Sequence, residues 1–250
     1  MLTELKAEWL KEKRAANRKL LFLMPAIFII FSFLMTRLMG NSPVGKSYLL
    51  AGGFNWYPIF LLPIFLSLLV MNSSNKEKAY HRQLYRILGI DNRKLILAKH
   101  CLVLLELATI LILSSVLLVL VGLFIIGDPI SIGAVSLATA CLFFGSLPIV
   151  GVSFILCRYV HRSIVLALNF LLSLGAALFA PETIWWAYPW AYNLRMMAPV
   201  LGIHPNGTYL VAGSPLFDQR VIILGIGLSI GIYLLTLIIQ MLLERSGHDA

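Results

Sequence analysis

The chain has 250 residues, of which 60% are hydrophobic and only 12% charged, with a formal net charge of +9 and three cysteines; its mean hydropathy is +0.89. Soluble domains hold roughly 45–50% apolar and about 25% charged residues, so the composition excludes a water-dissolved globule. Cys101, Cys141 and Cys157 lie within or at the ends of apolar runs, which excludes a disulfide framework and a metal-binding spacing and leaves them as small packing residues.

Residues 1 to 19, "MLTELKAEWLKEKRAANRK", place Leu2, Leu5 and Trp9 at helical spacing among many charges. This is the pattern of a helix lying in the membrane interface; a solvated charged tail is the alternative. Apolar runs then recur, and about 20 apolar residues suffice to cross a bilayer. They predict an all-α integral membrane protein with six transmembrane helices: Leu20 to Leu38, Phe54 to Met71, Leu95 to Ile126, Ile130 to Cys157, Ser163 to Ala180, and Val221 to Leu243. The first lacks a small-residue cleavage site and reads as a retained span. Pro25, Pro58, Pro63 and Pro148 fall inside these runs, where missing N–H groups predict kinks.

Between the first two spans, "GNSPVGKS" has the spacing of a nucleotide-binding P-loop. That motif needs a strand before it and a helix N-terminus after it. Here it follows a membrane helix and precedes "YLLAGGFNWYP", so the reading is a turn-rich outer loop, and any ATP is bound by another chain.

Between the second and third spans lies "SSNKEKAYHRQLYRILGIDNRKLILAKH". Ser74 and Glu77 form a capping box, and Gly89 sits where a helix commonly stops. Tyr80, Leu84, Ile87 and Leu88 recur at helical spacing while His81, Arg82 and Arg86 take other faces. The prediction is a short amphipathic helix over 74 to 89, offered either to a partner or to anionic lipid headgroups. Asp91 is placed to cap the next helix.

The third span carries Glu106, roughly ten ångströms along the helix from Lys99 at about 1.5 Å per residue. A carboxylate there costs several kcal/mol unless paired, protonated or watered, so it is either an inward-facing functional group or a structural partner of His100, Lys99 or a polar group on a neighbouring span. Residues 181 to 219, before the last span, hold three of the five tryptophans, Trp185, Trp186 and Trp190. The run Ile184 to Leu201 is too interrupted to span and reads as short re-entrant or interfacial helices, forming either an aromatic belt or an outer vestibule for an amphipathic substrate.

Orientation follows from the basic residues, which favour the cytoplasmic side. With both termini inside, sixteen of the twenty Lys and Arg fall on the inner side and only Arg37, Lys46, Arg195 and Arg220 on the outer. The positive charge then anchors the inner leaflet, and nucleic acid is not its partner. No H-E-x-x-H, no G-x-S-G and no pair of carboxylates within spans is present, so no catalytic set is complete and no metal site is expected.

Six spans, an inner amphipathic helix after the second and a long outer segment before the sixth resemble the permease subunit of a type-two ABC exporter. "NSSNKEKAYHRQLYRILGIDNRKLILAKH" and "WWAYPWAYNLRMMAPVLGIHPNG" are similar to segments of the lantibiotic self-protection permeases. The second contains their P-W-x-x-x-x-R and H-P-N-G elements, at Pro189, Trp190, Arg195, His204, Pro205, Asn206 and Gly207. The resemblance implies a single permease domain in a bacterial cell membrane, paired with a second related six-span permease and two copies of a soluble ABC ATPase. ATP and magnesium would sit on that ATPase, this chain would bind no cofactor, and the complex would export antimicrobial peptides. It also implies that residues 74 to 89 are the coupling helix, with Tyr80, Leu84 and Leu88 as apolar contacts and Arg82 and Arg86 facing an acidic rim. Trp185, Trp186, Trp190 and Arg195 would form the outer vestibule. A membrane-embedded enzyme, a scaffold or a secondary transporter, each without an ATPase, is the alternative, though no inverted repeat is evident.

Overall fold

A computed structural model of the chain describes residues 2–12, 16–40, 42–74 and 91–246. Among the described residues nine helices carry the architecture: α1 (Leu2–Glu12), α2 (Ala16–Met39), α3 (Tyr48–Phe60), α4 (Leu62–Ser74), α5 (Asn92–Ile126), α6 (Ile132–Tyr159), α7 (Arg162–Phe179), α8 (Tyr192–Leu201) and α9 (Arg220–Ser246). Among the described residues there is no strand, only an isolated bridge between Ile203 and Tyr209. Five helices are long and apolar enough to cross a membrane, and α3 with α4 makes a sixth crossing if the pair is one broken span. These are the six predicted runs, each within a few residues of its expected ends.

Local chemistry sets the ends. Asp91 caps α5 as expected, its carboxylate accepting from the Arg93 N–H. Ser131 caps α6 and His161 caps α7 through side-chain acceptors. The last turn of α5 widens over Gly122–Ile126 and stops at Gly127 in the left-handed region.

The four prolines do not act alike. α2 and α6 run through Pro25 and Pro148 without a break, whereas α3 and α4 meet at Leu61 with a 54° bend. One missing bond in a long packed helix is tolerated in a membrane. In the second crossing Pro58 and Pro63 flank one residue step, and a widened π-turn over Gly52–Trp56 precedes them. Two lost N–H donors within five residues leave the ladder too weak to stay straight.

α6 is the centre of the bundle. It packs against α4, α5, α7, α8 and, most extensively, α9, and 61% of its apolar window is buried against 22–33% for the other long helices. The α6–α9 contact depends on a glycine: a Cβ at Gly151 would lie 2.1 Å from Thr236 Oγ1. Close backbone approach through small residues is how helices associate when lipid is as apolar as the side chains. The opposite faces carry exposed Phe22, Ile30, Leu34, Leu171, Ile223 and Leu235, the surface a bilayer requires. Hydroxyls inside the bundle bond their own helix, as Ser32 does to the Phe28 carbonyl and Ser146 to that of Leu142.

The N-terminal helix α1 packs on α5 more than on α2. Glu8 is fully buried there and ion-paired with Lys11, while Trp9 and Leu10 stay exposed. Residues 2 to 12 are therefore a docked amphipathic helix rather than a solvated tail.

Candidate functional site

Polar groups buried among the spans form three nodes. In the first, the Asn17 amide of α2 donates to Glu106 Oε2 of α5 at 2.8 Å and to the Leu69 carbonyl of α4 at 3.2 Å. Asn72, also in α4, donates to Asn17 Oδ1 at 2.9 Å. Glu106 is only 4% exposed. Asn17 is thus one polar partner of Glu106 on a neighbouring span, while His100 bonds Tyr233 and Gln240. The node joins the first, second and third crossings at the end of α4, immediately before residues 75 to 90.

The second node lies deeper. The Asn169 amide of α7 donates to Ser67 of α4 at 2.7 Å and to Ser153 of α6 at 2.8 Å, with all three residues fully buried. In the third, His100 of α5 bonds Tyr233 and Gln240 of α9, each at 2.8 Å, and stacks on Phe154 of α6. A polar side chain inside hydrocarbon is retained only where it is partnered. Asn17 had no sequence signal, since it sits among the charges of the N-terminal tail. Asn169 in "LALNFLL" and Gln240 in "LIIQMLL" were visible as lone polar residues in apolar runs.

The predicted docking residues Tyr80, Arg82, Leu84, Arg86 and Leu88 lie outside the described residues. Ser74 is the last residue of α4.

Residues 181 to 219 contain short helical pieces separated by turns. Trp185–Ala187 and Pro189–Ala191 are single 3-10 turns, and α8 follows, buried against α6 and α9. The four candidate vestibule residues separate. Trp186 is 54% exposed and Trp190 half-buried, whereas Trp185 and Arg195 are buried at 5% and 7%. The Arg195 guanidinium reaches the Leu216 carbonyl at 3.4 Å and lies 5.9 Å from the Trp185 ring. Burial lowers its pKa, opposed by the nearby Asp218 carboxylate. Arg195 therefore holds the segment together from within.

The H-P-N-G element is a tight turn. The Gly207 N–H bonds the His204 carbonyl, the His204 N–H bonds the Thr208 carbonyl, and Asn55 of α3 donates to the Pro205 carbonyl. Gly207 has φ +89°, and a Cβ there would strike the Trp56 ring at 2.6 Å, so both backbone and space demand glycine. Beside it, Tyr209 stacks on Tyr48 and lies under the Lys46 ammonium, 4.2 Å from the ring centre. Burial pushes the Tyr209 phenol up to about 12.

The P-loop-like stretch has another use. Ser47 stands at the N-cap position of α3 without making a capping hydrogen bond, and its hydroxyl donates instead to Asp128 at 2.5 Å. This ties the loop after the first crossing to the loop after the third. A helix does begin at Tyr48, contrary to expectation, but it follows a turn and a long helix, and the serine before it binds a side chain of the same protein.

These features define a multi-pass α-helical membrane protein whose buried chemistry joins crossings together. The family model described as ABC-2 family transporter protein matches residues 4–180, and the chain belongs to that family. It is accordingly the membrane subunit of an ABC transporter, a class that works with an ABC ATPase. No curated protein and no solved structure matches the chain. The family match ends before the aromatic segment of residues 181 to 219.

Proposed function

We propose that this chain is the permease subunit of an exporter that expels lantibiotic-type antimicrobial peptides from the cell membrane, giving immunity or resistance. A second related permease completes the pathway, and two copies of a soluble ATPase supply ATP and magnesium chemistry. Both termini face the cytoplasm, and residues 74 to 89 dock on the ATPase through Tyr80, Leu84 and Leu88, with Arg82 and Arg86 toward its acidic rim.

The observation that carries this reading is the Asn17–Glu106–Asn72 node. A docking segment between α4 and α5 moves the end of α4 and the start of α5. Asn72 lies two residues before the end of α4, and its hydrogen bond leads through Asn17 to Glu106. A push from closing ATPases therefore reaches the first and third crossings through connected hydrogen bonds. Glu106 then serves the coupling, not the peptide. The bend at Leu61 and the Asn169 node carry the motion toward residues 181 to 219. There an amphipathic peptide arriving from the outer leaflet meets exposed Trp186 and half-buried Trp190, while Trp185 and Arg195 set the segment's shape.

The test is a Leu84→Asp, Leu88→Asp double variant, with co-purification of the ATPase as the measurement. Loss of the ATPase with the permease still in the membrane is the expected result; undiminished assembly rejects the docking role. Trp190→Ala is expected to weaken peptide protection with assembly intact, and unchanged protection removes that residue from the substrate path.

A further inference from the structure

The segment of residues 181 to 219 is held unequally on its two sides. Toward α6 and α9 the fit is tight: Tyr192, Met196 and Met197 are fully buried in the main cluster. Met196 also fills the space left by two glycines, since a Cβ at Gly145 of α6 or Gly225 of α9 would lie 2.9 and 2.7 Å from it. Toward α3 and α7 the core is separate and small. It consists of Ile59 of α3, Ala176 and Ala180 at the end of α7, Ala191 and Leu194. Three of these five are alanines, so little apolar area holds the seam together. Trp56 and Trp190 pack against it, with their indole nitrogens buried and without a hydrogen-bond partner. An unmatched buried donor is a cost that water removes once the seam parts.

One end of the seam is fixed. Asn169 of α7 bonds Ser67 of α4 and Ser153 of α6, and Ala176 lies two turns, about 10 Å, farther along α7. α3 ends at the bend beside Leu61, which frees it to tilt relative to α4. The 203 to 209 turn crosses the seam through the Asn55 bond to the Pro205 carbonyl. It leaves α8 at Gly202, in the left-handed region, so it can follow α3 while α8 stays on α6. The bond that parting must break is that of the Tyr188 hydroxyl to the Leu172 carbonyl, at 2.7 Å. We propose that this seam is a gate of the transport path. α3 and the end of α7 swing away from residues 188 to 194, with the Asn169 node as the hinge and the α6–α8–α9 side as the fixed jamb. The proposal rests on the chain being a transporter subunit and not on which cargo it moves.

The experiment uses the full chain with Cys101, Cys141 and Cys157 replaced by alanine and one thiol probe at a time. Ala191→Cys reports on the seam. Ala198→Cys is the control, equally buried but packed with Leu210 and Leu216 inside the segment itself. N-ethylmaleimide crosses membranes, so the reading does not depend on which side the seam faces. In the detergent-purified chain position 191 is expected to react about tenfold faster than position 198, because parting the seam requires less free energy than unfolding the segment. Ile59→Val trims the seam without disrupting the fold and should speed position 191 about two- to tenfold, leaving position 198 unchanged. In cells carrying the complete transporter, depleting ATP should slow position 191 by at least about fivefold, the low end of coupling between two sites. No readout involves a peptide, so the gate and the choice of cargo fail separately. Equal rates at the two positions, equal acceleration of both by Ile59→Val, or a rate at position 191 indifferent to ATP overturns the proposal.

Discussion

The Asn17 side-chain amide of α2 and the Glu106 carboxylate of α5 meet at 2.8 Å inside the protein, 89 residues apart in sequence. Asn17 also bonds Leu69 and Asn72 of α4, so one amide satisfies groups on two other crossings. Asn17→Leu removes all of these partners and leaves buried polar groups unmatched, at a cost on the order of 1–3 kcal/mol. Glu106→Gln keeps an acceptor in place and should cost less. Thermal unfolding of the detergent-purified protein checks this, with Asn17→Leu expected to melt lower than Glu106→Gln; the reverse order would remove the node from the stability of the bundle.

The α6–α9 contact gives a sharper test, because it rests on one missing methyl. Gly151→Ala pushes a Cβ to 2.1 Å from Thr236 Oγ1, and overpacking of this kind costs typically about 1–3 kcal/mol. Thr236→Ala removes the obstructing oxygen, so the double variant should recover part of that loss. A coupling of at least about 0.5 kcal/mol between the two changes is expected from residues in contact. Strict additivity in unfolding measurements would show that α6 and α9 do not depend on this approach.

The crossings were legible because lipid imposes one rule everywhere, a long apolar run, and the runs here are interrupted by charges and turn residues. Asp91 was legible as a cap because its geometry is local. The nodes were not, because they join residues 16 to 140 positions apart, as Asn169 to Ser153 and His100 to Gln240 do. Nor do prolines announce their effect: four occur in apolar runs, and only the pair around Leu61 breaks a helix. Trp185 and Trp186 are adjacent and chemically identical, yet one is buried and the other exposed. A single 3-10 turn sets that difference, and no apolar periodicity predicts it.

The bend at Leu61 should respond to its prolines. Pro63→Ala restores an N–H able to bond the Ile59 carbonyl and lets α3 and α4 approach one straight helix. At about 1.5 Å per residue, spin labels at positions 48 and 72 would then separate by up to roughly 4 Å more. Double electron–electron resonance reads that distance. An unchanged distribution would assign the bend to packing against α7 and α2 rather than to the missing donor.

The Ser47–Asp128 hydrogen bond fixes which loops share a side of the membrane. It ties the loop after α2 to the loop after α5, so Val44, fully exposed in the first of these, lies on the side where α6 begins. Tyr159, 60% exposed at the far end of α6, lies about 40 Å away along a helix of 1.5 Å rise per residue, on the opposite side. The proposed orientation, drawn from the excess of Lys and Arg, would put Tyr159 on the cytoplasmic side with both termini and the segment proposed to dock on the ATPase. With Cys101, Cys141 and Cys157 replaced by alanine, Val44→Cys should react with an impermeant maleimide on intact cells, and Tyr159→Cys only after permeabilisation. The opposite pattern would put residues 75 to 90 outside, beyond the reach of any ATPase, and the docking role would fail even though the hydrogen-bonded nodes remained intact.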